Sequence, residues 1–339
     1  MFLNISFRIL AFFLTQLHNP MESVNCQVVL TFFAASCLLP ILLIAGLTVV
    51  FFWLFLRRRY RTAALKGEGN EAGVGPVSAV HEAMRKSDDE KHGGDTVKYI
   101  RSIQDALLSS SRTAVAGAGH FILFRPLEAV SGDFYWIYSA GGRQIIVISD
   151  CTGHGLHGAF LSILGMTLLN RIVIAEMIYR PDEILGHLRD EVIRALKHTT
   201  GDDDIRDGMD MAVCSFDKEK GTLLYSGANS PLYLVREGRL VHYSPDKMPV
   251  SVHYRMEPFS LNTIELKKGD TFYIFSDGYA DQPGGPVKRK FMSERLKNLL
   301  VEMEGLPMNI QRDRLDSTFL EWKGENPQID DVTILGVRY

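Results

Sequence analysis

Four aspartates stand at the ends of hydrophobic runs in this 339-residue chain: Asp133 in SGDFYW, Asp150 in VISDCTGHG, Asp277 in FSDGYAD and Asp330 in IDDVTIL. Each adjoins a strand-like segment, so each carboxylate would emerge where a sheet ends. Oxygen donors of this kind suit hard cations such as Mg²⁺ or Mn²⁺. Several carboxylates converge only where a cation offsets their mutual repulsion. Two ions about 3.5–4 Å apart can clamp a phosphate and lower the pKa of a bridging water, so that it attacks phosphorus. Such chemistry needs no His, Cys or Ser nucleophile. Taken singly, each aspartate reads more readily as a turn or capping residue. The joint arrangement is what points to a site.

The elements that must position them alternate strands with turns and a few helices. HFILF, DFYWIY and QIIVIS read as strands leading to Asp150. Leu156 to Tyr179 is long and mostly apolar, a helix buried against a sheet, and Pro181 opens a second helix. MAVCSF, TLLYSG, PLYLV and RLVHYS predict a meander of antiparallel strands joined by tight turns. TFYIFS and VTILGVR complete the strands, with helices over Ser293–Met303 and Pro307–Trp322 between them. The class is α+β, antiparallel sheets with helices packed on them, rather than doubly wound.

Gly153, Gly155 and Gly158 spell G-x-G-x-x-G after a strand and at a helix start, the context of a dinucleotide-binding fingerprint. The rest of that unit fails. A second helix follows instead of a parallel strand, and Asp150 would repel a pyrophosphate. The glycines better suit close approach of backbone to a metal-bound phosphate.

Six ordered words, SGDFYW, SDCTGHG, MDMAV, SGANSPLYLV, FSDGYADQ and DDVTIL, run from about Phe121 to the C-terminus. With them the chain resembles the SpoIIE/RsbU-type bacterial branch of the metal-dependent serine/threonine phosphatases, relatives of protein phosphatase 2C. The resemblance implies an αββα sandwich of two stacked antiparallel sheets flanked by helices. It implies two Mn²⁺ or Mg²⁺ ions and a phosphoserine or phosphothreonine substrate, often on a small anti-sigma-antagonist (STAS-like) regulator. Carried over residue by residue, Asp150 is the bridging ligand and the carbonyl of Cys151 a main-chain ligand. Asp133 and Asp277 would hold one metal each, directly or through water, and Asp330 would complete the site, with Asp331 one residue away as the alternative. Asp207 in RDGMD matches a third-metal ligand of some relatives.

Two departures from the pattern stand out. Many eukaryotic relatives place a histidine two residues after the bridging aspartate, whereas His154 lies four residues after Asp150. A phosphate-gripping arginine has no counterpart; Arg125 lies nearby in sequence but in no matching motif. The alternative to an enzyme is a catalytically inactive scaffold or binding module at the membrane. Its mark would be a missing metal aspartate, and all the matched acids are present.

The N-terminal part is of another kind. Val28 to Leu56 carries no charged residue, and a membrane span needs about 20 apolar residues. Arg57, Arg58, Arg59 and Arg61 follow, which by the positive-inside rule places the rest in the cytoplasm. Phe2 to Leu17 is a weaker apolar stretch interrupted by Arg8; it leaves open one span or two across a cell inner membrane. The expected organisation is a membrane anchor over 1–61, a flexible linker over 62–95, a helical signalling or dimerisation linker over 96–118 and the phosphatase domain over 119–339. In the helical linker, Val97, Ile100, Ile103 and Leu107 make one apolar stripe, either packed on its own domain or forming the seam of a homodimer. A net charge of −3 shows no electrostatic footprint for nucleic acid. Cys26, Cys37, Cys151 and Cys214 show no CxxC spacing, which argues against a zinc site or a disulfide framework.

Overall fold

A computed structural model describes residues 93–112, 119–200 and 207–339. The expected span Val28–Leu56, the stretch Phe2–Leu17 and the linker up to residue 92 lie outside the described residues. Helix α1, Gly93–Arg112, is followed by strands β1 (Gly119–Arg125), β2 (Phe134–Ala140) and β3 (Arg143–Cys151). Helices α2 (Gly155–Leu169) and α3 (Pro181–Thr200) come next, then strands β4 (Met209–Asp217), β5 (Thr222–Ala228), β6 (Leu232–Arg236), β7 (Arg239–Tyr243), β8 (Asn262–Glu265) and β9 (Thr271–Phe275). The short helix α4 (Gly278–Asp281), the ribbon β10–β11 (Pro283–Gly284 and Arg289–Lys290), helices α5 (Ser293–Glu302) and α6 (Met308–Lys323), and strand β12 (Val332–Arg338) complete the order.

The strands form two five-stranded antiparallel sheets, in the order β1-β12-β9-β6-β7 and β2-β3-β4-β5-β8. Alternation along the strands explains why they stack, because successive side chains point to opposite faces. In β9, Phe272 and Ile274 join the core shared with the second sheet, while Tyr273 and Phe275 join the core under α5 and α6. β6 and β12 divide in the same way: Leu232, Leu234, Leu335 and Val337 face one side, Tyr233, Val235, Val332 and Ile334 the other. Strands covered on both faces need no polar side, which is why these segments are apolar throughout. Phe134, Phe216, Phe272 and Phe319 are all fully buried, each contributing about 1.5–3 kcal/mol of transfer free energy. The architecture is the expected αββα sandwich.

Three local expectations are corrected. The predicted meander is broken between β5 and β6, which lie in different sheets. The turn that moves the chain across holds Asn229 at φ 56°, with Pro231 behind it. The helix expected to reach Tyr179 stops earlier: α2 loosens into a π-helical turn over Asn170–Ala175, and Met177 at φ 56° ends it. β8 and the β10–β11 ribbon carry no strong apolar signature and were not expected from sequence. The run Gly155–Ala175 is long and apolar enough to cross a membrane, but half of its most apolar window is buried in the domain, so it serves here as the core helix.

Helix α1 packs on α2 and β2 through a stripe rotated slightly from the expected one. Ile100 and Leu108 are buried, and between them lies Gln104, 4% exposed. Gln104 Nε2 donates to Ser131 O and to Ser162 Oγ (both 2.7 Å), and its Oε1 accepts from the Ser131 N–H (3.1 Å). A buried amide is tolerated because every group it presents here is paired.

Candidate metal centre

Antiparallel pairing brings the end of one strand to the start of the next, and that gathers the aspartates. β3 ends at Asp150–Cys151, opposite the start of β4, with Asp150 in register with Asp210. Asp133 immediately precedes β2, the other neighbour of β3. In the second sheet, Asp277 lies two residues beyond the end of β9, and Asp330 lies two residues before its antiparallel neighbour β12. One edge of the sandwich therefore collects acids from both sheets. Asp150, Cys151, Thr152, Gly153, His154, Asp210, Asp277, Ile329 and Asp330 line a cleft there of about 240 Å³.

The cleft holds carboxylates at high cost. Burial pushes Asp150 up to about 10, with the negative charges of Asp133, Asp277, Asp330 and Asp210 adding to the shift. Burial likewise raises Asp133 to about 8 against two opposing hydrogen bonds, from Ser276 Oγ (2.5 Å) and Thr333 Oγ1 (2.7 Å) to Oδ2. Asp210, Asp277 and Asp330 are raised too, each chiefly by desolvation. Among the described residues no Lys, Arg or His forms an ion pair with any of these five. Burying like charges without a counter-ion is unfavourable, and protons or cations must satisfy them. All-oxygen donors with no cation of their own fit Mg²⁺ or Mn²⁺. Among the described residues, no three of the acids, imidazoles or thiols close into a finished ligand set; the carboxylates ring a cleft.

Asp133 sits beneath the cleft, 1% exposed, and does not line it. Ser276 and Thr333, which hold it, belong to the opposite sheet, and they bind each other through Thr333 N–H to Ser276 Oγ (3.0 Å). Asp330 lines the cleft, whereas Asp331 is buried and accepts the N–H groups of Leu127 (2.7 Å) and Gly132 (2.8 Å). Asp207 stands apart from the lining, its Oδ1 3.1 Å from His157 Nε2. Arg125 pairs with Asp316 at 2.6 Å and lies over Phe319, so it is committed to packing under α6. His154 lines the cleft with its Nδ1 2.7 Å from Glu128 Oε1. Burial and Asp150 push the Cys151 thiol well up, so it stays protonated and unreactive. Asp210 is the acid that sequence reading passed over. It lies in MDMAV, one of the quoted words, and Asn229 Nδ2 donates to its Oδ1 at 2.9 Å.

The glycine run serves backbone-to-backbone packing beside the cleft. A Cβ on Gly158 would meet Gly153 O at 2.2 Å and Gly132 Cα at 2.7 Å, contacts backbone cannot relieve by rotating a side chain. Gly153 and Gly155 take φ of 84° and 65°. Replacing Gly158 by Ala is expected to lower the unfolding free energy by about 2–4 kcal/mol and to weaken divalent-ion affinity. Denaturant melts with and without Mn²⁺ measure both effects.

Comparison with known proteins agrees with this geometry. The protein-family model for stage II sporulation protein E (SpoIIE) matches residues 140–339, more than half of the chain. The solved PP2C domain of SiaA from Pseudomonas aeruginosa is 29% identical, with a TM-score of 0.66 over 75% of this chain and 99% of that one. The PP2C phosphatase domain of SpoIIE from Bacillus subtilis, solved with a fragment of its regulatory domain, has the same fold. It is 17% identical, with a TM-score of 0.54 over 65% of this chain and 62% of that one. The RsbU and RsbW domains of a Mycobacterium tuberculosis protein match at 23% identity and a TM-score of 0.52, over 65% and 60%. The described sandwich is a PP2C-type serine/threonine phosphatase domain of the SpoIIE/RsbU kind, and the chain belongs to the SpoIIE family.

Proposed function

We propose that the cleft hydrolyses phosphoserine or phosphothreonine esters with two divalent ions, Mn²⁺ or Mg²⁺, on a STAS-like regulator at the cytoplasmic face of a membrane. The observation that carries the hydrolytic reading is the convergence of Asp150, Asp210, Asp277 and Asp330 in one cleft that no Lys or Arg lines. Asp150, bridging, would share the ions with Asp277 and Asp330 and with the carbonyl of Cys151. Asp210 extends the set from β4, and Asp133 acts from below. Ions held there would supply Lewis acidity and a water acidic enough to attack phosphorus at neutral pH. The protein's own part is to fix the oxygens: Ser276 and Thr333 orient Asp133, and Asn229 orients Asp210. The SpoIIE/RsbU resemblance supports the regulator as substrate, and the uncharged stretch Val28–Leu56 with the arginines after it supports the anchor.

The Gln104 contacts support a relay through α1. Ser131, which this amide holds on two sides, lies two residues before Asp133, so a shift of α1 reaches the floor of the cleft directly. Phosphate release by the full-length protein from phosphorylated STAS domains, with Mn²⁺ and with chelator, tests the whole reading. Release that needs the metal supports it; no release with Mn²⁺ or Mg²⁺ from these or from p-nitrophenyl phosphate sinks it in favour of a scaffold.

A further inference from the structure

The connection between β7 and β8 forms a closed loop beside the cleft. Its ends are pinned together, with Ser260 donating its N–H to Asp246 Oδ2 (2.7 Å) and its hydroxyl to Asp246 Oδ1 (2.9 Å). Such loops of 6–16 residues pack on themselves and are frequently functional. The near side is anchored to the catalytic edge. The Val250 N–H donates to Met209 O (2.8 Å), the residue before Asp210, and Ser251 Oγ donates to Asp207 O. Gly208 lies so close that a Cβ there would meet Ser251 Cβ at 2.6 Å. On the far side, Arg189 of α3 donates to Glu257 O (2.9 Å) and lies over the buried Phe259 ring at 4.8 Å.

Between these anchors the chain presents large side chains to solvent. Tyr254 is 82% exposed, Met256 48% and Val252 39%. The Arg255 guanidinium lies 5.5 Å from the Tyr254 ring centre, and the backbone N–H of Arg255 donates to His253 Nδ1 (3.2 Å). Neither Arg255 nor Lys247, at the loop's root, forms an ion pair among the described residues. Glu257 is the one exposed carboxylate between Lys247 and Ser260. Tyr, Arg and Met are the residues that interfaces concentrate, and here they stand on a loop whose roots are fixed. An exposed apolar set on a rigid rim, with the Arg255 guanidinium outside any ion pair among the described residues, calls for a partner that is apolar and negatively charged.

We infer that the loop from Asp246 to Ser260 docks the polypeptide that flanks the phosphorylated residue, and that it selects a segment carrying carboxylates beside apolar side chains. The inference rests on the phosphatase reading of the cleft. Adjacency favours this occupant: the loop's exposed part begins at Val252, directly after the residue packed on Gly208, two positions from Asp210.

Two phosphothreonine peptides test it, identical in their apolar residues but flanked by glutamates in one and lysines in the other. With full-length protein and Mn²⁺, the glutamate peptide is expected to have the higher kcat/KM by about tenfold, through KM. Arg255→Glu should erase or invert that ratio, and Arg255→Gln should reduce it. Tyr254→Ala should raise KM for both peptides several-fold. A wild-type protein indifferent to the flanks, or variants that keep the wild-type ratio, overturn the docking inference. A wild-type protein that hydrolyses neither peptide nor p-nitrophenyl phosphate overturns the phosphatase reading beneath it.

Discussion

Replacing Asp150 by Asn is expected to reduce Mn²⁺-dependent hydrolysis of p-nitrophenyl phosphate by on the order of 10³-fold or more, about 4 kcal/mol of transition-state stabilisation. Asp150 is the acid against which Asp133, Asp210, Asp277 and Asp330 all press. It lies at the end of β3, between the starts of β2 and β4, so no other residue can take its place without moving a central strand. Asn preserves size and backbone but removes the charge that Asp150 would bring to the ions in the role proposed for it. The fold should survive. In the metal-free protein the variant should even melt at a higher temperature near pH 8, because unfolding no longer gains from releasing the proton that folded Asp150 retains there. Turnover across a Mn²⁺ titration, read beside a thermal melt, separates the two consequences. Retention of full turnover would remove Asp150 from the centre of the site.

The second large effect is a stability that depends on pH in opposite ways with and without metal. Asp133 and Asp150 have folded-state pKa values of about 8 and about 10, above the 3.8 of the free side chain. Between those limits the folded protein holds protons that the unfolded chain has released. The stabilisation these groups give is therefore complete below about pH 4 and is lost as pH rises through 8 and towards 10. Chelator-treated protein should lose a few kcal/mol of unfolding free energy between pH 5 and 9. Saturating Mn²⁺ reverses the slope, because the ion competes with protons for the same oxygens and binds better as they leave. Denaturant titrations at three pH values, with Mn²⁺ and with chelator, give both curves. Parallel curves would show that the carboxylates are not where the cation binds.

Much of this was legible in the sequence because strand-end acids leave a local trace. Asp150 and Asp277 each follow an unbroken apolar run, and Asp133 and Asp330 each come just before one, so their placement at a sheet edge follows from the strands alone. Asp331 against Asp330 was not legible. Both precede β12, and the choice depends on the distant N–H groups of Leu127 and Gly132, which capture Asp331. Asp210 escaped for a related reason: it faces Asp150 only through the β3–β4 register, which no single segment encodes. Gln104 in the α1 stripe was hidden because periodicity counts apolar residues, and this buried position is polar and satisfied. The break between β5 and β6 carried the words Asn and Pro, but a turn within one sheet and a crossing between two look alike at that length.

The position of β12 sets a timetable for the molecule. It is the last strand in chain order, yet it lies inside its sheet between β1 and β9, with Asp330 just ahead of it and Thr333 holding Asp133 from across the sandwich. A chain still on the ribosome can pair the whole of the other sheet and own Asp133, Asp150 and Asp210 before β12 leaves the exit tunnel. It then lacks Asp330 and one of the two hydroxyls that fix the floor of the cleft. The carboxylate cleft is therefore incomplete in a nascent chain until β12 threads between β1 and β9.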